Sequence, residues 1–180
     1  GPQFSSEGFF YNNNFYLSGV ALRYYDNLNS TQPNIVEAGG FLPADLSKIK
    51  MNMIEKLMYD TGKSLGILNG PLKADLVFHK NKFYVIEVAA RLSGNYLASH
   101  YIRWIHKVDL VNLNIKFALG KKIKNKDLIR KNTGKFISIR YFFPKKGLLK
   151  KVIFPRNIKQ KYHTFYDKKI LIKGSKVISN

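Results

Sequence analysis

The alternation of apolar and polar positions is sharpest over residues 73–91, KADLVFHKNKFYVIEVAAR. Leu76 and Phe78 alternate with Asp75, Val77 and His79; further on, Tyr84, Ile86 and Val88 alternate with Phe83, Val85, Glu87, Ala89 and Arg91. Strand side chains have a period of two, so this pattern predicts a β-hairpin. Lys80-Asn81-Lys82 supplies the turn, because Asn tolerates the left-handed backbone of a short loop. With Asn81 at the centre, Asp75 and Glu87 become direct cross-strand neighbours, their Cβ atoms roughly 5 Å apart.

The same pattern predicts the other elements. Residues 9–11 and 15–23 read as strands around Asn12-Asn13-Asn14, and residues 26–34 have loop composition. A short strand at 35–38 is expected to end at the Gly39-Gly40 break. Leu46, Ile49, Met53, Leu57 and Met58 recur at helical spacing between Asp45 and Ser64, with Asp45 or Ser47 as the cap and Gly66 just beyond the end. Residues 95–106 read as helical, and Asp109 caps a helix at 110–119 that stops at Gly120. Residues 121–134 form a Lys-rich connector. A hairpin of residues 136–143 and 148–154 around Pro144-Lys145-Lys146-Gly147, then a strand pair at 162–179 broken at Gly174, complete the chain. Strand runs with segregated helices, rather than βαβ alternation, give an α+β fold. The expected organisation is one unit over residues 1–120 and a basic, β-rich appendage over 121–180.

Chemistry enters at the hairpin. Two facing carboxylates repel unless a positive charge sits between them, and a hard cation such as Mg²⁺ (or Mn²⁺) takes carboxylate oxygens while bridging to phosphate. Arg91, on the expected Glu87 face, offers a planar fork for a phosphate or acyl-phosphate. The alternative is two solvated charges on the open face of an antiparallel sheet. A loop one residue shorter would place Asp75 opposite Ile86.

Composition narrows the classes. At 180 residues and 45% hydrophobic, with 13 Phe and 11 Tyr, the chain can bury a sizeable core. The sequence starts with Gly rather than Met, as in a fragment, a processed chain or an expression product. No stretch approaches ~18 uninterrupted apolar residues, and there is no secretory leader pattern. There is no Cys, which excludes disulfides and thiolate ligands and fits a cytoplasmic chain. His79, His100, His106 and His163 lack zinc spacing.

The net charge of +20 is uneven: residues 1–100 carry +1 and residues 101–180 carry +19. Such a tail can bind polyanions, and residues 121–131 and 145–151, beside Tyr141, Phe142 and Phe143, form the alternative nucleic-acid surface. Yet 25 of the 31 basic residues are Lys and the chain holds 16 Asn, a pair of biases that an AT-rich genome produces unselected. Base readout and phosphate clamps favour Arg. Binding of DNA by the tail is therefore expected to be non-specific, with log affinity falling by about 0.9 per phosphate contact per unit of log salt. A salt titration of duplex binding checks this; a sequence-selective complex surviving at physiological ionic strength would reverse it.

The string Val85-Ile86-Glu87-Val88-Ala89-Ala90-Arg91-Leu92-Ser93-Gly94 resembles the metal-binding strand of the ATP-grasp superfamily, where the pattern is Glu-x-Asn-x-Arg with an acidic residue upstream. Glu87 and Arg91 match, and Asp75 stands at the upstream acid. Ala89 replaces the Asn, as in a branch related to carbamoyl-phosphate synthetase and biotin carboxylase. Gly1-Pro2-Gln3-Phe4-Ser5-Ser6-Glu7-Gly8-Phe9, Val36-Glu37-Ala38-Gly39-Gly40-Phe41-Leu42-Pro43 and Leu65-Gly66-Ile67-Leu68-Asn69-Gly70-Pro71 are similar, in order, to segments of the second half of that ATP-binding domain. Val108-Asp109-Leu110-Val111 through Ala118-Leu119-Gly120 resembles the helix after the site.

The resemblance implies an ADP-forming ligase. A carboxylate or bicarbonate attacks the γ-phosphate of ATP, and an amine or similar acceptor then displaces phosphate. It implies a Mg²⁺ or Mn²⁺ held by Asp75 and Glu87, Arg91 on the transferred group, and Ser93, Gly94 and Asn95 against the acceptor. Arg23, at a strand end, faces either solvent or substrate. The Gly-rich loop, the two nucleotide-contacting Lys and the adenine-binding segment of the family's first half are not recognisable. The 180 residues alone are thus expected not to turn over ATP, and a non-catalytic remnant of the ligase fold stands as the other alternative.

Overall fold

Among the described residues, six antiparallel strands form the central sheet of the computed structural model, in the order β5-β4-β1-β2-β3-β6. They are β1 (Gln3–Tyr11), β2 (Asn14–Tyr24), β3 (Gly39–Leu42), β4 (Gly70–His79), β5 (Lys82–Ala89) and β6 (Ile137–Arg140). The structure describes residues 1–26, 28–141, 143, 147–148, 150–151 and 176–177. The fold is α+β. Helix α1 (Leu28–Thr31) lies in the β2–β3 connection and α2 (Lys48–Ser64) covers one face of the sheet. The π-helical turn Leu97–Tyr101, α3 (Ile102–His106), α4 (Leu110–Ala118) and α5 (Asn125–Leu128) cover the other.

Two apolar layers follow from the strand period. Phe4 and Phe10 on β1, Val20 on β2 and Leu72, Ala74 and Leu76 on β4 meet Ile54 and Met58 of α2. Phe9 and Ala21 project the other way, onto Ile102, Ile105, Leu110 and Leu113. The centre of the sheet is buried on both faces, so β1 is rich in Phe and carries no Lys or Arg. Gly62 lets α2 come down on the sheet, since a Cβ there would sit 2.2 Å from a ring carbon of Phe10. Gly62→Ala is expected to lower stability by about 1–2 kcal/mol, the overpacking strain exceeding the gain in helix propensity. Urea unfolding checks the sign, and a stabilised variant would show that the ring can move aside.

Helix ends obey local chemistry. Ser47 Oγ accepts from Lys50 N at 3.4 Å, Asp109 Oδ1 accepts from Asn112 N at 3.0 Å, and Gly66 and Gly120 follow their helices at φ +72° and +64°. The Asn12-Asn13 turn, φ 50° and 66°, joins β1 to β2 as a tight hairpin loop.

Four expectations are corrected. The strand expected at 35–38 is Gly39–Leu42, and the two glycines lie inside it rather than ending the previous one. A Cβ on Gly39 would meet Ile139 O at 2.1 Å and one on Gly40 would meet Leu22 O at 2.7 Å, so glycine here permits close strand approach. The helix expected from residue 95 begins at Leu97, because Asn95 and Tyr96 are left-handed at φ 56° and 63°. Ile137–Arg140 pairs with β3 as the sixth strand of the sheet, a partner that the hairpin reading of this segment does not give it. Of the tail, Gly147–Leu148 pairs with Lys176–Val177; the remainder of the two expected C-terminal strand pairs lies outside the described residues.

The fourth correction is at the β4–β5 hairpin. The loop is two residues, Lys80-Asn81, both left-handed at φ 45° and 59°, and Lys82 already pairs with His79. That register alone would set Asp75 against Ile86. A bulge intervenes: Leu76 pairs with Val85 but Asp75 with Glu87, leaving Ile86 as the extra residue. The bulge also reverses the parity of β5. Phe83, Val85 and Val88 pack with the α2 layer, while Glu87 turns to the opposite face.

Candidate functional site

The strand period places Ser5 and Glu7 of β1, Arg23 of β2, Lys73 and Asp75 of β4 and Glu87 of β5 on one face of the sheet. This is the face of α3 and α4, beyond the edge of their apolar layer. Register aligns them: Ser5 with Asp75, Glu7 with Lys73, Asp75 with Glu87. Ser5, Arg23, Glu37, Lys73, Asp75 and Arg91 help line a pocket of about 200 Å³, with Asn95 and Tyr141 also in its wall.

Arg23, Lys73 and the pocket's carboxylates are paired. Arg23 binds Glu37 through Nη2 at 2.8 Å and Asp75 through Nη1 at 2.9 Å. The Arg23 guanidinium is partly buried, which lowers its pKa, but Glu37 and Asp75 outweigh that and hold it above its ordinary value. Asp75 also accepts from Ser5 Oγ at 3.1 Å and lies 3.4 Å from Lys73 Nζ. Lys73 Nζ is 2.8 Å from Glu87 Oε1, and its side chain is only 9% exposed. The ammonium thus stands between the two carboxylates.

Beneath this layer lies Glu7, fully buried. It accepts from Ser93 N at 2.8 Å and bonds the Ser93 hydroxyl through its other oxygen. Burial pushes its carboxyl up to about 7 against the smaller opposing pull of Ser93, Lys73 and Arg91. Glu7 therefore anchors the loop after β5 to the middle of the sheet.

Asp75 and Glu87 face each other, as expected. Arg23 turns inward to the pocket, where Glu37 and Asp75 hold its guanidinium. Arg91 is exposed at the pocket rim, its Nη1 donating to Leu92 O at 3.2 Å. Ser93, Gly94 and Asn95 line the same pocket, Ser93 tied to Glu7 and Asn95 Nδ2 donating to Tyr141 Oη. Burial raises the Tyr141 hydroxyl above its ordinary pKa. Glu7, Glu37, Lys73 and Tyr141 were not singled out as site residues. For two of them a signal existed: Glu7 is a lone charge inside a strand of Phe and Ser, and Lys73 shares the parity of Asp75.

The carboxylate pair has the hard oxygen chemistry that Mg²⁺ prefers. Its inner space, however, is taken by Lys73 and Arg23, and no group of three or more His, Cys, Asp or Glu converges among the described residues. As arranged, these residues do not fit a divalent ion shared between Asp75 and Glu87.

No protein-family model and no curated protein matches the chain. Solved structures do. The chain is similar to an L-amino acid ligase from Bacillus licheniformis, with TM-score 0.76 and 20% identity over 99% of this chain and 45% of that one. A phosphoribosylglycinamide synthetase from Anaerococcus prevotii matches with TM-score 0.59 and 17% identity over 67% of this chain and 29% of that one. The biotin carboxylase domain of a Hydrogenobacter thermophilus 2-oxoglutarate carboxylase, in complex with MgADP, ADP and bicarbonate, matches with TM-score 0.55 and 15% identity over 72% and 27%. The fold is that of one part of the ATP-grasp enzymes. The chain spans less than half the length of each. Among the described residues no helix is long and apolar enough to cross a membrane.

Proposed function

We propose that these residues form the acidic, acceptor-binding part of an ATP-dependent ligase that joins a carboxylate to an amine through an acyl-phosphate. The observation that carries the reading is the convergence of Arg23, Lys73, Asp75 and Arg91 on one pocket of this fold, with Glu87 bound to Lys73 beside it. Phosphoryl transfer asks a protein for positioning and charge neutralisation rather than covalent help. Arg91, exposed at the rim, is assigned to the transferred phosphoryl group. Asp75 and Glu87 are assigned to holding positive charge against the nucleotide phosphates, where a Mg²⁺ or Mn²⁺ ion would enter only in exchange with Lys73. Ser93, Gly94 and Asn95 are assigned to the acceptor, on a loop held by Glu7.

An amine is preferred to bicarbonate or a thiol as the acceptor. The likeness to the L-amino acid ligase takes in 99% of this chain, including β6, whose end carries Tyr141 to the pocket, whereas the biotin carboxylase likeness stops at 72%. In the reaction, a carboxylate oxygen attacks the γ-phosphorus and ADP leaves. The amine nitrogen then attacks the carbonyl carbon, loses a proton and expels phosphate. The reading assigns the remaining nucleotide contacts to a first half of the enzyme that these 180 residues do not contain.

The test is hydroxylamine trapping in the full-length protein. Incubation with ATP, Mg²⁺ and a panel of amino acids and other small carboxylates should give a hydroxamate with stoichiometric ADP. Absence of hydroxamate and ADP across the panel favours the non-catalytic remnant, for which the filled space between Asp75 and Glu87 already speaks.

A further inference from the structure

We infer that Lys73 is the built-in cation of this site, so that the protein holds no divalent ion shared between Asp75 and Glu87. The inference uses the same carboxylates as the proposed ligase reading but does not depend on catalysis.

Geometry supports it first. Lys73 pairs with Glu7 on one side and Ala89 on the other, and Asp75 lies two residues along the same strand face. Its Nζ is 2.8 Å from Glu87 and 3.4 Å from Asp75, a position bracketed by both carboxylates. A Mg²⁺ ion bound to the same oxygens would sit about 2.0–2.1 Å from each, overlapping the ammonium. Asp75 has little left to offer, since its oxygens already meet Arg23 at 2.9 Å and Ser5 at 3.1 Å.

Sequence context favours the position. The cross-strand neighbour of Lys73 is Ala89, whose methyl group leaves room for the lysine stem to turn toward Glu87. A buried ammonium needs carboxylate partners because its lost hydration is costly, and here Glu87 and Asp75 supply them. Lys73 also lines the pocket, so its charge is already presented to whatever anion enters. A point charge on a flexible stem suits phosphate oxygens without demanding a fixed coordination shell.

Mn²⁺ alone is the probe, titrated into the full-length protein without nucleotide and followed by electron paramagnetic resonance. Wild type should show no Mn²⁺ site that depends on Glu87. Lys73→Met should gain roughly ten- to a hundredfold in Mn²⁺ affinity, the range by which a neighbouring group alters a metal site. The double variant Lys73→Met with Glu87→Gln should lose that gain. Lys73→Gln serves in the same design should the Met variant not fold, which circular dichroism reads. A wild-type Mn²⁺ site abolished by Glu87→Gln would overturn the inference, and so would a folded Lys73 variant with no gain. Failure of hydroxamate trapping would refute the ligase reading and leave this result standing.

Discussion

On the proposed ligase reading, Glu87→Gln in the full-length protein is expected to reduce ATP-dependent product formation by about a hundredfold or more, the effect of deleting one preorganised electrostatic group. The amide keeps the shape of the carboxylate but not the charge that draws Lys73 to 2.8 Å. Glu87 is more than half exposed, so its ion pair contributes at most about 1 kcal/mol to stability and the fold should survive intact. Asp75→Asn is expected to be as damaging to turnover and more damaging to the protein. Asp75 is mostly buried and is shared by Arg23, Ser5 and Lys73, so its loss leaves two cations without their common partner. ADP release and thermal melting, measured together on both variants, separate the two effects. Turnover near wild type in both would remove the assignment of the pair.

The second large effect belongs to Glu7. Its carboxyl has an ordinary value of 4.5 and is raised to about 7 in the folded protein, chiefly by burial. Between those values the folded state binds the proton that the unfolded state has released, so stability falls as pH rises from 4.5 through 7 and then levels. The loss is on the order of 3 kcal/mol by linkage. Glu7→Gln retains an acceptor for Ser93 N and a donor for the Ser93 hydroxyl without any charge to bury. The variant should therefore lose this decline and be the more stable protein at pH 8. Urea midpoints at pH 5 and pH 8 for both proteins read the difference directly. An unchanged slope in Glu7→Gln would place the carboxyl elsewhere on the pH scale. Glu7→Ala should behave differently, leaving Ser93 N unpartnered at a cost of about 1–3 kcal/mol at either pH.

The facing of Asp75 and Glu87 was legible in the chain, although by a route the structure revises. A three-residue loop and a regular β5 give the same pairing as a two-residue loop and a bulge at Ile86. Alternation alone cannot distinguish them, because a bulge costs one residue and so does the longer loop. The difference shows on the far side, where Phe83 and Val85 join the α2 layer. The ordered motif segments contain Ser93 and Gly94, which line the pocket, but do not show the contacts that hold this loop. Glu37, Tyr141 and Glu7 reach the site from positions 37, 141 and 7, through strand pairings that no local window contains.

What the sequence determined by itself is local: the strand and helix periods, the caps at Ser47 and Asp109, the tight Asn turns, and two acids of matching parity on neighbouring strands. Each of these is decided within a few residues by backbone sterics and short-range hydrogen bonds. Tertiary structure decided the rest. It brought β6 alongside β3, turned Arg23 into the pocket, buried Glu7 beneath Ser93 and set the Lys73 ammonium between Asp75 and Glu87. These outcomes depend on which strands become neighbours. They also depend on how desolvated charges find partners once the sheet has closed over them, and that free energy exists only in the assembled fold.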